Sequence, residues 1–251
     1  MDTLPFTISR VADNQWHAIE NDLVVGRGHA ARRLDGRTFL SIDTWRDAVF
    51  GRLAAAMATD QPQYTVVDET DHNLMTNWVL AGFTTSRREA EFVVPTAPTR
   101  ATVPSGVTIT TATETPLREL DQAIRDEIES TVGWHTMPAE VLPWQGGTRP
   151  IDPSNYTVAV RDDRYVGLVR VATMTRRPRI GLVAVLAAEQ RHGIGRALLD
   201  HVLDGLHSWG FEAATAEVDE TNTAALALFE GLGARRTGSS LELVRRPGKA
   251  A

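Results

Sequence analysis

The sequence predicts an α/β protein with a mixed β-sheet, and three observations favour that class. Short runs that are apolar or of alternating polarity, typical of strands, occur along the chain between amphipathic stretches of helical periodicity. In the second half, a turn that contains two glycines joins an apolar run, typical of a buried strand, to an amphipathic stretch. The two halves also share a sequence pattern, which indicates two related units.

Composition excludes several kinds of function. Of the 251 residues, 42% are hydrophobic and 23% are charged, as in soluble globular proteins. There is no cysteine, so disulfides, thiolate nucleophiles and cysteine-ligated metals are excluded, and no metal site is expected. No signal peptide or membrane-spanning run is visible, so we expect a cytoplasmic protein without a membrane partner. The net charge of −6 argues against nucleic acid and is compatible with a cationic amine.

In the first half, residues 15–20, 23–34 and 37–42 read as strands joined by the turn signals Asn21-Asp22 and Asp35-Gly36. Helices are predicted over residues 44–57 and 71–80, and further strands over 64–67 and 90–94. Three tryptophans of this half are expected to pack in the core or at an interface, because their large apolar rings favour burial: Trp16, Trp45 and Trp78.

In the second half, a strand at 107–110 precedes a helix that runs to about residue 128. Thr115 suits the N-cap of that helix and Pro116 its first position. Asp162-Asp163 predicts the turn of a hairpin. The predicted strands are 156–161, 165–174, 179–187, 213–218 and 241–244, and the remaining helix covers 197–209.

The segment Gln190-Arg191-His192-Gly193-Ile194-Gly195-Arg196 follows the strand and opens the helix at 197–209. Its glycines let a ligand approach the backbone closely. The first N–H groups of the helix lack intrahelical partners, and the macrodipole adds about half a positive charge there. We therefore expect this turn to bind a phosphate or a pyrophosphate.

Three kinds of phosphate-binding turn compete for this segment. A Walker A loop requires G-x-x-x-x-G-K-[ST], which the chain does not contain. A dinucleotide fingerprint requires G-x-G-x-x-G, and Leu198 stands at its third glycine. Gln190-x-x-Gly193-x-Gly195 matches the third kind. It resembles the Q/R-x-x-G-x-G/A signature of the GNAT N-acetyltransferase superfamily.

A second motif supports this resemblance. Asn222 precedes an apolar stretch, Ala225 follows three residues later, and Gly231 and Gly233 come at its end. Asparagine is a good helix N-cap and glycine a common helix terminator. The pattern is similar to the strand-plus-helix motif of GNAT proteins. The two motifs together identify the chain as a member of that superfamily, with a GNAT-like acyl-CoA N-acyltransferase fold.

A repeat connects the two halves at an offset of 218 − 67 = 151 residues, because Val67-Asp68-Glu69-Thr70 recurs as Val218-Asp219-Glu220-Thr221. At this offset the two turn glycines fall on Ile42 and Thr44, so the first half has no turn for a pyrophosphate. We therefore predict a degenerate GNAT-like half-domain at residues 1–95. This half is too short to contain the opening strand and helices of a full acetyltransferase domain. A linker follows at 96–105 and a catalytic GNAT domain at 106–251. This arrangement resembles the double-domain acetyltransferases of the mycothiol-synthase type.

The resemblance implies transfer of an acetyl group from acetyl-CoA to a primary amine by direct attack on the thioester. The acceptor is expected to be a small molecule, with a protein N-terminus or lysine as an alternative, and a non-catalytic acyl-CoA sensor as another. Whether the chain forms a homodimer is left open. The cofactor-binding residues that the family motifs imply are Val183, Val185, Gln190, Arg191, His192, Gly193, Ile194, Gly195, Arg196 and Asn222.

Two customary proton-handling positions of the family are altered. The tyrosine expected seven residues after Asn222 is Phe229, and the carboxylate expected on the central strand is Arg179. His135 and Glu217 are the candidates for catalysis, since their side chains can accept a proton. Glu129 and Trp134 are the candidates for acceptor binding, because they lie at the start of the segment that covers the acceptor pocket in the family.

Overall fold

The computed structural model describes residues 6–33, 35–97, 102–131, 133, 151–173 and 176–247. The chain forms two compact units. Of the described residues, those up to Arg88 and those from Ser239 onward form unit 1, and those between Glu89 and Gly238 form unit 2. Among the described helices, none has the length and apolar character of a membrane span.

Unit 1 is a mixed sheet with helices. Its strands lie in the order β1-β2-β3-β4-β5-β12, where β12 is Arg235–Arg245 near the end of the chain, and only β4 and β5 are parallel. Helix α1 buries Val49 and Leu53 against the sheet. The first half of the sequence contributes β1 (Thr7–Ala12), β2 (Gln15–Glu20), β3 (Leu23–Arg32), β4 (Thr38–Asp43), α1 (Asp47–Ala56), β5 (Gln63–Asp68), α2 (His72–Leu80) and β6 (Thr84–Pro95).

Unit 2 repeats this plan with the strand order β7-β8-β9-β10-β11-β6, in which only β10 and β11 are parallel. Helix α3 packs on one face of the sheet through Leu117 and Leu120, and α4 packs on the other through Leu198 and Leu199. The elements are β7 (Val107–Thr111), α3 (Glu114–Thr131), β8 (Tyr156–Arg161), β9 (Arg164–Ala172), β10 (Arg179–Val185), α4 (Ile194–Ser208), β11 (Ala213–Asp219), α5 (Thr223–Gly231) and β12 (Arg235–Arg245).

Local signals explain most element boundaries. Asn21-Asp22 and Asp162-Asp163 all have positive φ, as a two-residue hairpin turn requires, so both predicted turns are confirmed. The Thr115 N-cap is wrong, because α3 begins at Glu114, two residues before the predicted first position at Pro116, and Leu117 donates its N–H to the carbonyl of Thr113. The opening strand β1, which the first half was expected to lack, is present.

The tryptophan predictions hold only in part. Trp78 is 1% exposed and forms edge contacts with Phe50 and Phe83, and Trp16 is partly buried. Trp45 is 78% exposed, so its expected burial in the core is wrong. It precedes α1, whereas the apolar face of that helix begins at Val49.

The 151-residue repeat is visible in the local hydrogen bonding. Asp68 accepts hydrogen bonds from the N–H and hydroxyl of Thr70, and Asp219 accepts the same pair from Thr221. The bonds from Thr70 hold the pKa of Asp68 below its usual value. The N-caps of α2 and α5 coincide at this offset as well, and Asp71 bonds the Leu74 N–H as Asn222 bonds that of Ala225.

The 151-residue offset does not hold for the connection between the central strand of each unit and the helix that follows it. Three residues, 44–46, connect β4 to α1, whereas eight, 186–193, connect β10 to α4. Ile42, the expected counterpart of Gly193, therefore lies within β4 rather than in a turn. In unit 1, the three-residue connection between β4 and α1 takes the place of the glycine turn of unit 2.

The compact units do not end at the predicted domain boundaries, because each half of the sequence supplies the last strand of the other unit's sheet. Residues 89–95 of β6 pair with β11, and Phe92 is buried in the core of unit 2. Residues 240–245 of β12 pair with β5, and Leu243 is buried in the core of unit 1. The division at 95 and 106 follows the repeat in the sequence, whereas the packing follows these apolar side chains.

Candidate active site

The parallel strands β10 and β11 separate soon after they meet. Their paired residues are Arg179 with Thr215 and Ile180 with Ala216, and among the described residues no later position of β10 pairs with β11. On its other side, β10 stays paired with β9 as far as Val185. The sheet of unit 2 therefore opens along one edge of its central strand.

Backbone donors point into this opening. The N–H of Leu186 donates to the carbonyl of Val166 on β9, at 3.0 Å. Because donors alternate between the two sides of a strand, the N–H groups of Val183 and Val185 point away from β9. These are the two residues that the family resemblance assigns to the cofactor. Their amides face the side on which β10 has lost its other neighbour.

The turn after β10 is fixed by local contacts. Gln190 donates its side-chain amide to the carbonyl of Val185 at 2.9 Å, which holds the turn against the end of the strand. Arg191 and Gly193 both have positive φ, at 65° and 80°. A non-glycine residue such as Arg191 adopts this conformation at a cost. Arg191 and His192 are exposed.

Helix α4 begins beside this turn with free backbone donors. Its N-cap is Gly193, which has no side chain to satisfy the first N–H groups, those of Ile194, Gly195 and Arg196. The helix macrodipole adds positive charge at the same point. The side chain of Arg196 is directed elsewhere, to the carbonyl of Gly231 at 2.8 Å and to Asp200 at 3.3 Å.

This set of donors fits coenzyme A. Uncapped amides at a helix start suit a pyrophosphate, and the outward amides of β10 suit the carbonyl groups of a pantetheine arm and a thioester. Both parts belong to unit 2 and follow one another in the chain.

The two residues of the α5 motif have different surroundings. The Asn222 side-chain carbonyl accepts from the N–H of Ala225 at 3.0 Å, which leaves its NH₂ group for a ligand. Phe229 is 4% exposed and stacks on Phe92, with ring centroids 6.1 Å apart. The position where the family expects a tyrosine is therefore occupied by a core side chain that carries no proton to donate.

Arg179 and Glu217 form an ion pair across β10 and β11, at 2.8 Å. Ala216 and Val218 are buried under α4, so Glu217 lies on the opposite face of the sheet. Its side chain is 40% exposed. A carboxylate of the neighbouring strand thus lies next to Arg179, which occupies the position where the family resemblance implies a carboxylate.

A second carboxylate reaches the site from α3. Glu127 accepts a hydrogen bond from the N–H of Ala187 at 3.0 Å, directly after β10. Sequence reasoning missed this residue, although it lies three positions after the buried Ile124 and therefore on the sheet-facing side of the helix. Glu129, the predicted acceptor ligand, is exposed. Trp134 and His135 lie outside the described residues.

Comparisons with known proteins agree with this geometry. The acetyltransferase (GNAT) family model matches residues 119–234. That segment runs from α3 to just past the end of α5 and contains both motifs, so this part of the chain is similar to the GNAT acetyltransferase family.

The curated relatives match only in part. The ribosomal protein bS18 alanine N-acetyltransferase of Escherichia coli K12 is 47% identical over 51 residues, which are 20% of this chain and 34% of the relative. The enzyme of the same description from Salmonella typhimurium is 36% identical over 72 residues, or 29% of this chain and 49% of the relative. The chain thus spans between a third and a half of these relatives.

Solved structures match nearly the whole chain. A GCN5-related N-acetyltransferase from Sphaerobacter thermophilus aligns with a TM-score of 0.69, at 17% identity, over 96% of this chain and 83% of that one. A tandem GNAT protein from the clavulanic acid biosynthesis pathway aligns with a TM-score of 0.64, also at 17% identity, over 94% and 83%. At these identities the matches show the fold, which confirms the predicted GNAT-like α/β class.

Proposed function

We propose that the protein is an acetyl-CoA-dependent N-acetyltransferase that acts on a primary amine of a small molecule. One observation carries the proposal: the outward amides of Val183 and Val185 lead directly to the uncapped start of α4. This combination supplies donors for both the thioester end and the pyrophosphate of one coenzyme A. Unit 1 is then a degenerate copy that retains the sheet but has no turn for a pyrophosphate.

Bound acetyl-CoA supplies the activated acetyl group. The amide of Val183 would hold the thioester carbonyl, and the amide of Val185 would hold the pantetheine arm. The N–H groups of Ile194, Gly195 and Arg196 would hold the pyrophosphate, while the side chain of Gln190 holds the turn against the end of β10. Donors aimed in advance at developing negative charge lower the barrier of acyl transfer, and fixed positioning of the two reactants lowers it further.

Glu217 is the proposed acceptor of the amine proton. Its carboxylate lies on the face opposite α4, one residue beyond the last pair of β10 and β11, where the opening begins. Arg179 holds that carboxylate at 2.8 Å and so fixes its position. His135 remains the other candidate base. Because Phe229 carries no hydroxyl, the leaving thiolate receives its proton from solvent.

Turnover of acetyl-CoA with a panel of primary amines tests the activity, with released thiol and acetylated product measured together. Glu217→Gln should lower kcat/KM about a hundredfold, the usual scale for loss of a general base, while the acetyl-CoA dissociation constant stays unchanged. Glu212→Gln is the matched control, since Glu212 is exposed just before the same strand.

Unchanged turnover in Glu217→Gln would remove Glu217 from the mechanism. A loss in His135→Asn instead would transfer the role to His135. If acetyl-CoA binds and no amine is acetylated, the alternative function of a non-catalytic acyl-CoA sensor applies. The observation that favours that alternative is the replacement of two proton-handling positions by Phe229 and Arg179.

A protein acceptor is the other alternative, and the match to the bS18 alanine N-acetyltransferases favours it. Peptides with a free N-terminal alanine therefore belong in the panel. A kcat/KM for such peptides that exceeds the values for all small amines would replace the small-molecule acceptor by a protein N-terminus.

A further inference from the structure

A cavity of about 450 Å³ opens at the beginning of β10 and is lined by Arg176, Arg177, Arg179 and Thr215. All four residues belong to unit 2. Arg179 and Thr215 are the first cross-strand pair of β10 and β11, so the cavity lies at the closed end of the opening between these strands. Arg176 and Arg177 precede β10 and are exposed.

The lining is strongly cationic in a chain whose net charge is −6. Three arginines and one threonine line the cavity, and the carboxylate of Glu217 offsets the charge of Arg179 at 2.8 Å. Guanidinium groups bind carboxylate and phosphate through paired N–H donors, with a geometry that a lysine cannot match. Arg179 lies within the sheet, yet it lines the same cavity as the two arginines that precede it. This shared lining favours a binding site over a basic turn that is merely solvated.

The cavity lies on the face of the sheet opposite α4. Ile180 and Ala216 are buried under α4, so their neighbours Arg179 and Thr215 face the opposite side of the sheet, as Glu217 does. Val183 lies four residues after Arg179, or about 13 Å along an extended strand. The β-bulge between Ile180 and Leu182 shortens this separation. Glu217 lies between the cavity and Val183, because it follows Ala216, the partner of Ile180.

We propose that this cavity binds an anionic group of the acceptor, a carboxylate or a phosphate. The acceptor is then an elongated amine whose negative group lies about 10 Å from the reacting nitrogen, the spacing that follows from the rise of a strand. The inference rests on the proposed acetyl transfer and adds the acceptor class to it. The amine reaches the thioester near Val183 and passes Glu217, while the anion is held by Arg176 and Arg177.

Matched acceptors test the proposal in the full-length protein. Phenethylamine has no anionic group, 4-(2-aminoethyl)benzoate adds a distal carboxylate, and O-phosphotyramine adds a distal phosphate. We expect at least one anionic amine to have a KM about tenfold or more below that of phenethylamine, with a similar kcat, since charge-assisted hydrogen bonds are worth that much. The comparison between the two anions identifies the group that the cavity prefers.

The double variant Arg176→Gln/Arg177→Gln should raise the KM of the preferred anionic amine about tenfold or more. The KM of phenethylamine, kcat and the dissociation constant of acetyl-CoA should not change. Arg164→Gln is the matched control, because Arg164 is an exposed arginine of the same unit at the hairpin between β8 and β9. The advantage of the anionic amine should also shrink with salt.

Equal KM values for charged and neutral amines, unaltered by the double variant, would overturn the acceptor class and leave acetyl transfer intact. A weaker affinity for acetyl-CoA in the double variant would overturn it as well, by assigning the cavity to the cofactor's phosphates. If no amine is acetylated, calorimetry with 4-(2-aminoethyl)benzoate and with O-phosphotyramine still decides: binding of either that the double variant loses supports the cavity, and no binding of both to the wild type contradicts it.

Discussion

Units 1 and 2 share the separation of two parallel strands but differ at the helix that follows it. Strands β4 and β5 pair at Thr38–Gln63 and Phe39–Tyr64, and β10 and β11 also pair at two positions. In unit 2 an eight-residue turn leads to a helix start made of Gly193, Ile194 and Gly195. In unit 1 three residues lead to a first turn that carries Asp47.

The difference indicates which part of the fold is decisive for the proposed cofactor site. An opening in the sheet is present in both units, so it does not by itself distinguish a binding unit. A carboxylate in the first turn of a helix opposes a bound anion, whereas uncapped amides beside glycine attract one. The helix start after the central strand is therefore the deciding element.

The units also differ on the second face of the sheet. In unit 2, α3 covers that face between β7 and β8, whereas in unit 1 only residues 13 and 14 separate β1 from β2. Arginine side chains cover part of this face in unit 1: Arg33 lies 3.4 Å from the ring centre of Phe39, and Arg37 lies 5.1 Å from that of Tyr64. Among the residues that the structure describes, unit 1 accordingly has no counterpart of Glu127 beside its central strand.

The largest expected effect concerns the exchanged strands. Phe92→Ala should destabilise unit 2 by about 3–5 kcal/mol and Leu243→Ala should destabilise unit 1 by about 2–5 kcal/mol, because each removes a buried core side chain. Hydrogen exchange should accelerate in β11 for the first variant and in β5 for the second. Val66→Ala, on the exposed face of β5, is the control with little effect. Faster hydrogen exchange in β5 for Phe92→Ala, or in β11 for Leu243→Ala, would contradict the assignment of β6 and β12 to these sheets.

A smaller effect distinguishes the two helix starts. Gly195→Glu should weaken acetyl-CoA binding at least about a hundredfold, or about 2.7 kcal/mol, because a carboxylate then opposes the pyrophosphate. A Cβ at Gly195 has its nearest neighbours at 3.7 Å, so the fold should tolerate the change. Gly205→Glu is the matched control, ten residues further along the same helix, with no atom within 4 Å of an added Cβ. Equal affinity in both variants would remove the start of α4 from the cofactor site.

The smallest effect compares the two helix caps. Asp71→Ala and Asn222→Ala should each cost about 1 kcal/mol of stability, since each removes the side chain that bonds a backbone N–H of its helix. Asn222→Asp keeps the cap and should leave the free energy of unfolding unchanged, as denaturant titration can measure. It should still weaken acetyl-CoA binding, because the NH₂ group is lost. Unchanged affinity would limit Asn222 to capping its helix.

Short-range signals predicted much of the fold. The aspartate and asparagine turns, the Asn222 cap and the glycine turn depend on a few neighbouring residues, and each of them is confirmed. The partners of β6 and β12 could not be predicted, because short apolar-rich runs such as those around Phe92 and Leu243 specify a strand but not the sheet it joins. Ile42 was aligned with Gly193 because an ungapped offset cannot represent a turn of different length.

The candidate site, too, could be predicted from the sequence only in part. The family motifs indicated Val183 and Val185, but the contact of Glu127 with Ala187 depends on how α3 packs against the end of β10. The pairing of Arg179 with Glu217, and the cavity beside it, required the register of β10 and β11. These features arise from tertiary packing, which the order of residues along the chain does not display.

Calorimetric titration of the full-length chain with acetyl-CoA tests the central claim most directly, because it measures stoichiometry together with affinity. The difference between the helix starts of α1 and α4 predicts one site per chain. That site should be lost in Gly195→Glu and kept in Gly205→Glu. Two sites per chain would contradict the silent role of unit 1, and no binding at all would contradict the cofactor site itself.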